Sequence, residues 1–146
     1  TLTPMSYMES IYKILEENRG KVIYFDFWAT TCPPCLAEME PLKKLRSQYS
    51  TKDLIIYSIC SGGNDTKKQW ELCLDKYSMK NHDIECVYAT DYIGLENYQK
   101  ITKQFKINRL PYYILINRKG QIIDYGTAAR PSNPNLLLRI EEIVKQ

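Results

Sequence analysis

Apolar residues fall along the chain in two patterns, as dense short runs and as positions spaced for helices. The runs KVIYFDFW at 21–28, LIIYSIC at 54–60 and YYILI at 112–116 are rich in β-branched and aromatic residues, which predicts buried strands. Residues 121–125 follow the third run after an NRKG turn, so these two segments predict a hairpin. A shorter strand is predicted at 85–89.

Apolar residues at spacings of three and four positions predict five helices around these strands. The first helix begins at Thr3-Pro4 and ends before Gly20, and the last begins at Asn133-Pro134. Pro41 predicts a kink in the second helix, because proline lacks a backbone donor and clashes with the preceding turn. The fourth helix is predicted over about residues 95–105. The apolar positions of the other four, in chain order, are Met8, Ile11, Tyr12 and Leu15; Leu36, Met39, Leu42, Leu45 and Tyr49; Trp70, Cys73, Leu74 and Tyr77; and Leu136, Leu137, Ile140, Ile143 and Val144.

Helices and strands alternate along most of the chain, and a hairpin follows near its end. Alternation predicts parallel pairing and the hairpin adds antiparallel strands, so we expect an α/β fold with a mixed sheet and helices on both faces. A loop is predicted at 61–64. Because no repeat, low-complexity tract or linker divides the chain, we expect one domain, residues 1–146.

Composition excludes several classes of protein. Of 146 residues, 44% are hydrophobic and 25% charged, which is the mix of an ordinary globular domain and excludes wholesale disorder. A net charge of +3, with both signs interspersed, does not indicate a nucleic-acid or anionic-membrane partner. No apolar run approaches the roughly 18 residues of a membrane helix. The chain begins at Thr1, so we expect a processed or truncated product that lacks its signal or anchor.

The pair Cys32-Pro33-Pro34-Cys35 directly follows a predicted buried strand and opens a helix. Backbone N–H groups at a helix start favour a thiolate on the first sulfur, and the second sulfur lies one turn away. We therefore expect Cys32 to be the nucleophile and Cys35 the resolving thiol. Pro33 and Pro34 have no N–H to donate, which predicts a moderately lowered pKa for the Cys32 thiol. The alternatives are two buried inert thiols, which two prolines at a helix start do not favour, and half of a zinc site, for which no second paired motif supplies two further ligands.

Three segments resemble one family. DFWATTCPPCLAEMEPL is similar to the active-site region of thioredoxin-fold disulfide oxidoreductases, and in particular to the extracytoplasmic TlpA/ResA-like branch related to peroxiredoxins. LPYYILINRKGQIIDYGTAARPS resembles that branch's proline loop and hairpin, and WELCLDKYSMKNHDIECVYA its inserted helix and strand. The resemblance implies a thioredoxin-like three-layer α/β/α sandwich. The helix–strand insertion would lie between the βαβ half and the half that carries a cis-proline.

The resemblance also implies roles around the cysteines. Pro111 matches the family's cis-proline, which would leave the backbone of Leu110 open to pair with an extended substrate strand. Asp26 matches a carboxylate that relays protons to the resolving cysteine, Glu38 one that tunes the thiols, and Trp28 a tryptophan beside the site. Each role has an alternative. Pro111 could be an ordinary trans proline and Asp26 an acid on a solvated strand face. Glu38 could be an ordinary helix-surface glutamate and Trp28 a core residue.

The chain also departs from the family pattern. Thr31 stands where many relatives have tryptophan, so the rim of the site is smaller and more polar. Leu110 replaces a common threonine, and Pro41 falls one position later than usual. The residues expected to contact substrate are Trp28, Thr31, Pro33, Pro34, Leu110 and Pro111.

Three cysteines remain outside the pair. A Cys73–Cys86 bridge is the one further disulfide that the sequence suggests, and it would secure the insertion in an oxidising compartment. Burial of Cys60, Cys73 and Cys86 as small hydrophobic thiols is the alternative, and we favour it.

These features predict an enzyme, a thiol–disulfide oxidoreductase, and we favour reduction of protein disulfides over the reverse reaction, oxidation of protein dithiols. Its redox centre would be the Cys32–Cys35 pair, without cofactor or metal. Its partners would be a disulfide- or thiol-bearing protein and a separate thiol electron donor, with no nucleic acid and no membrane contact. We expect a monomer in the bacterial periplasm. The alternatives are a thiol peroxidase, whose usual proline–threonine–cysteine context is missing, and a redox-inactive interaction or metallochaperone module.

Overall fold

A computed structural model of the chain describes residues 9–61 and 66–146. The predicted helix start at Thr3-Pro4 and most of the loop at 61–64 lie outside these residues. The strands are β1 Val22–Trp28, β2 Leu54–Cys60, β3 Glu85–Tyr88, β4 Tyr112–Ile116 and β5 Ile122–Gly126. The helices are α1 Glu9–Glu17, α2 Pro33–Ala37, α3 Met39–Ser47, α4 Lys67–Lys76, α5 Ala89–Tyr92, α6 Leu95–Gln104 and α7 Pro134–Val144.

The strands form one mixed sheet in the order β3-β2-β1-β4-β5. β1 and β2 pair in parallel, as do β2 and β3, whereas β4 runs antiparallel to both β1 and β5. The predicted mixed sheet is therefore confirmed. In this register Asp26, near the end of the central strand, lies between Ser58 on β2 and Tyr113 on β4.

Every residue of β1 is buried, because helices cover both faces of the sheet. Successive side chains of a strand point to opposite faces. Tyr24 and Trp28 pack in one cluster with residues of α2, α3 and α7, while Phe25 and Phe27 pack in another with residues of α1 and α6. The two clusters make the predicted three-layer α/β/α sandwich. Asp26 shares the strand face of Tyr24 and Trp28, which is the face covered by the helix that holds Cys35.

The helix that follows the cysteine pair is broken, as Pro41 predicts, but the break lies three residues earlier than the proline. α2 ends at Ala37 and α3 begins at Met39, with Glu38 between them. Proline has no N–H for the carbonyl four residues before it, and its ring displaces that carbonyl. For Pro41 that carbonyl belongs to Ala37, which accounts for where α2 ends. Glu38 therefore forms the turn between α2 and α3.

Other boundaries differ by small amounts. β3 ends at Tyr88 instead of Ala89, which begins the short helix α5 that the apolar spacing did not predict. β5 is shifted by one residue from the predicted 121–125. α4 and β3 form the inserted helix and strand, and β3 extends the sheet at the edge next to β2. The insertion therefore widens the sheet on the side away from β4.

Candidate functional site

The site is built around a disulfide between Cys32 and Cys35, whose Cα atoms are 5.3 Å apart. The pair follows the carboxyl end of β1, and Cys32 is the N-cap of α2. Its sulfur accepts a hydrogen bond from the backbone N–H of Cys35 at 3.3 Å. Cys32 is half-buried beside the exposed Pro33 and Pro34, whereas Cys35 is only 4% exposed. An incoming sulfur can therefore reach Cys32 but not Cys35.

Asp26 is a buried acid beneath this pair. It is 7% exposed, so the alternative of a solvated strand face is wrong. Its Oδ2 accepts a hydrogen bond from the Ser58 hydroxyl at 3.3 Å. Burial raises the pKa of Asp26 from 3.8 to about 7; the Ser58 hydrogen bond opposes this and the charge of Glu38 adds to it. Near neutral pH this carboxyl can therefore both take and give a proton.

Glu38 is held by the segment that precedes α7. One carboxylate oxygen accepts a hydrogen bond from the Ser132 N–H at 2.9 Å, and the other accepts one from the Ser132 hydroxyl at 2.7 Å. The Nε of Arg130 lies 4.0 Å from Glu38 Oε2, and the glutamate side chain is largely buried. Glu38 is thus not an ordinary surface glutamate. Its partners lie more than 90 residues further along the chain, so helical spacing could not identify them.

Two tyrosines that the sequence did not single out lie on the Asp26 face of the sheet. The rings of Tyr24 and Tyr113 are stacked, with centroids 5.6 Å apart. Tyr24 donates to the Ala129 carbonyl at 2.6 Å, whereas the buried Tyr113 hydroxyl has no hydrogen-bond partner among the described residues. Burial raises the pKa of both tyrosines, and the charge of Asp26 adds to it. The alternation of side chains along β1 could have placed Tyr24 on the same face as Asp26. Tyr113 could be identified only from the pairing register of β1 and β4.

Trp28 packs in the core and does not form a substrate surface. It is 1% exposed and belongs to the cluster that contains Cys35. Its predicted contact with substrate is therefore wrong, because the indole lies beneath the site and its surface is already covered. Thr31, by contrast, is exposed immediately before Cys32, where a substrate can reach it.

The Leu110–Pro111 peptide bond is cis, as the resemblance implies and contrary to the trans alternative. Leu110 is half-buried and touches both core clusters. No backbone–backbone hydrogen bond joins it to another residue within 9–61 or 66–146. A groove of about 370 Å³ runs between this loop and α2. Its lining residues are Pro34, Ala37, Glu38, Arg109, Leu110, Pro111, Thr127 and Arg130.

The other three cysteines are not cross-linked. Cys60 and Cys73 are buried and Cys86 is half-buried; all three are thiols in the described structure. The suggested Cys73–Cys86 bridge is therefore absent, in favour of the alternative of buried thiols. The Cys86 sulfur contacts the Met79 carbonyl at 3.9 Å, and burial raises the pKa of Cys86 to about 12. Such a thiol stays protonated at neutral pH, which makes it a poor nucleophile.

Two kinds of feature are missing from the part of the chain that the structure describes. It contains no group of three or more His, Cys, Asp or Glu side chains arranged to hold a metal ion. Within the same residues, no helix combines the length and the apolar character needed to cross a membrane.

In a Cys35→Ser variant, we expect the pKa of the Cys32 thiol to lie moderately below its ordinary value of about 8.5. The N–H of residue 35 is one donor within reach of the sulfur, whereas Pro33 and Pro34 have none to offer. Ultraviolet absorbance of the thiolate as a function of pH measures this pKa, with a variant lacking both Cys32 and Cys35 as the baseline. A value of about 4 or below, as in strong oxidants, would contradict the expectation.

Comparison with known proteins agrees with this geometry. Thiol-disulfide oxidoreductase ResA from Halalkalibacterium halodurans is 27% identical over 113 residues, which cover 77% of this chain and 57% of that protein. Thioredoxin-like protein YneN from Bacillus subtilis is 31% identical over 110 residues, or 75% of this chain and 58% of that protein. The crystal structure of a candidate thiol-disulfide oxidoreductase from Bacteroides vulgatus is similar with a TM-score of 0.70 and 27% identity, covering 88% of this chain and 82% of the other.

These similarities confirm the thioredoxin-like α/β fold and the resemblance to ResA-like proteins. The chain spans a little over half the length of these curated relatives. The Redoxin family model matches residues 10–137, and on this evidence the chain belongs to the Redoxin family.

Proposed function

We propose that this chain is a thiol–disulfide oxidoreductase that reduces disulfides of protein substrates through the Cys32–Cys35 pair. The observation that carries the proposal is the asymmetric disulfide at the end of β1, with Cys32 accessible, Cys35 buried and a buried carboxyl on the same side of the sheet. The names of relatives such as ResA support it. We further propose that residues 1–146 act as one domain, as a monomer, in an extracytoplasmic compartment.

The reaction takes two thiol–disulfide exchanges. In the dithiol form, Cys32 thiolate attacks one sulfur of a substrate disulfide, and the other substrate sulfur leaves as a thiolate. Cys35 thiolate then attacks the Cys32 sulfur, releases the second substrate sulfur and closes the Cys32–Cys35 disulfide. Two electrons pass from the pair to the substrate. The protons of Cys32 and Cys35 end on the two substrate thiols, and a separate thiol donor later reduces the pair again.

Asp26 is the base for the second exchange. Cys35 is buried, so water has poor access to its proton, and Asp26 shares its side of the sheet. A base works best when its pKa lies near the ambient pH, and burial brings the pKa of Asp26 to about 7. Glu38 contributes through its charge, which raises the pKa of Asp26 further.

The substrate binds as an extended strand along the cis-proline loop. The backbone of Leu110 has no partner within the described residues and is open to such a strand. Thr31, Pro33 and Pro34 present an exposed rim around Cys32. This small rim leaves room for the folded surroundings of a protein disulfide.

Two measurements test this function and its direction. The reduced protein is expected to reduce insulin disulfides, and its Cys32–Cys35 pair to equilibrate with glutathione at a potential below about −200 mV. A potential near −120 mV would instead indicate an oxidant. Consumption of peroxide without any disulfide reduction would contradict the proposal in favour of a thiol peroxidase.

A further inference from the structure

The groove beside the cysteine pair contains three charged side chains, Glu38, Arg109 and Arg130. Both carboxylate oxygens of Glu38 accept hydrogen bonds from Ser132, and the Nε of Arg130 lies 4.0 Å from one of them. Glu38 is also largely buried, while the Arg130 side chain is half-exposed. Most of the charge exposed to an occupant of the groove is therefore positive.

Arg109 adds a second positive charge at the place where the substrate strand is proposed to pair. It is exposed and directly precedes Leu110. Within residues 9–61 and 66–146, no ion pair joins it to an acidic side chain. Side chains on directly opposed residues of paired strands are about 5 Å apart. A strand paired with Leu110 therefore places its own side chains within reach of Arg109.

We infer that this groove selects protein disulfides in which an Asp or Glu lies one or two residues from the reactive cysteine. This inference rests on the proposed function, because the groove meets a substrate only if Cys32 forms a mixed disulfide with it. An exposed ion pair contributes little to affinity, but a basic groove also raises the encounter rate of an acidic partner and repels a basic one. The exchange chemistry itself is unchanged, with two electrons passing from the cysteine pair to the selected disulfide.

Three cyclic peptides test the inference, each closed by one disulfide and differing at a single residue beside a cysteine, which is Glu, Gln or Lys. The reduced protein is mixed with each peptide, and the second-order rate constant of peptide opening is measured. We expect the rate constant to be highest for the Glu peptide, intermediate for the Gln peptide and lowest for the Lys peptide. At low ionic strength the Glu and Lys rate constants should differ by about three- to tenfold. The ratio should shrink at about 0.5 M salt, because screening weakens exposed charges.

Charge variants assign the effect to the groove. Arg109→Gln and Arg130→Gln should each lower the Glu-to-Lys ratio, and Arg109→Glu should invert the order. Arg19→Gln is the matched control, since Arg19 is an exposed arginine that precedes β1 whereas Cys32 follows that strand. It removes the same charge at the opposite end of β1 and should leave the ratio unchanged.

The outcomes separate this inference from the proposed function. Equal rates for the three peptides would overturn the inference alone, and so would a Glu preference that survives Arg109→Glu. Failure of the unmodified protein to reduce insulin would overturn the proposed function, and the inference would fall with it. Reduction of insulin but of none of the peptides would overturn the inference alone.

Discussion

Cys32→Ser is expected to reduce insulin reduction by roughly a thousandfold or more, as removal of an enzyme's nucleophile generally does. A hydroxyl is not ionised at neutral pH and does not attack a disulfide sulfur, and the buried Cys35 cannot replace it. Turbidity of reduced insulin measures the loss. Activity close to that of the unmodified protein would show that Cys32 is not the attacking thiol.

The Cys35→Ser variant tests the two exchanges separately. It keeps the accessible Cys32 but removes the thiol that releases the substrate, so the first exchange should occur and the second should not. Mass spectrometry of the protein mixed with a disulfide substrate should then show one covalently bound substrate chain. Cys86→Ser is the control, because burial raises the pKa of Cys86 to about 12 and the thiol takes no part in exchange. It should reduce insulin at the rate of the unmodified protein.

The sequence predicted the parts of this fold that depend on local patterns. β2 and β4 have the predicted bounds, since each is a continuous apolar run buried on both faces. The position of Cys32 after β1 and at the start of α2 follows from the same kind of signal. The break at Glu38 was partly foreseen, because the chemistry of Pro41 acts on the carbonyl four residues earlier.

What the sequence could not predict depends on contacts between distant segments. Glu38 binds Ser132, and Tyr113 faces Asp26 only through the antiparallel register of β1 and β4. No spacing within one element carries this information, because register is set by the whole sheet. Trp28 shows the opposite error: it is near the cysteines in sequence and was expected to contact substrate, yet its side chain is buried in the core.

The stability of the oxidised protein is expected to fall as the pH rises from about 4 to 7, and Asp26→Asn should remove this dependence. Below pH 3.8 Asp26 is protonated in both states; between 3.8 and about 7 the unfolded chain loses the proton that the folded chain keeps. The folded state then binds one more proton, so the free energy of unfolding falls by about 1.4 kcal/mol per pH unit. Above about pH 7 both states are ionised, and the full loss is about 4 kcal/mol.

Urea unfolding at pH 4 and pH 8 measures this difference. The asparagine side chain would have no charge to bury and could still bond the Ser58 hydroxyl, so the Asp26→Asn variant should match the unmodified protein at pH 4 and exceed its free energy of unfolding by roughly 4 kcal/mol at pH 8. Asp75→Asn is the control, because Asp75 is exposed in a pair with Lys80 and its loss should change stability by less than about 1 kcal/mol. Equal stabilities at pH 8 would show that Asp26 is not held with a raised pKa.

The same variant separates the catalytic and structural explanations of Asp26. A buried carboxyl that lowers stability at neutral pH is unfavourable for folding, so its presence points to a use in the reaction. If Asp26 takes the proton of Cys35, the more stable Asp26→Asn protein should reduce insulin more slowly, and mixed disulfide should accumulate because the second exchange is delayed. Higher stability with an unchanged rate of release would contradict the proton-transfer step while leaving the roles of Cys32 and Cys35 intact.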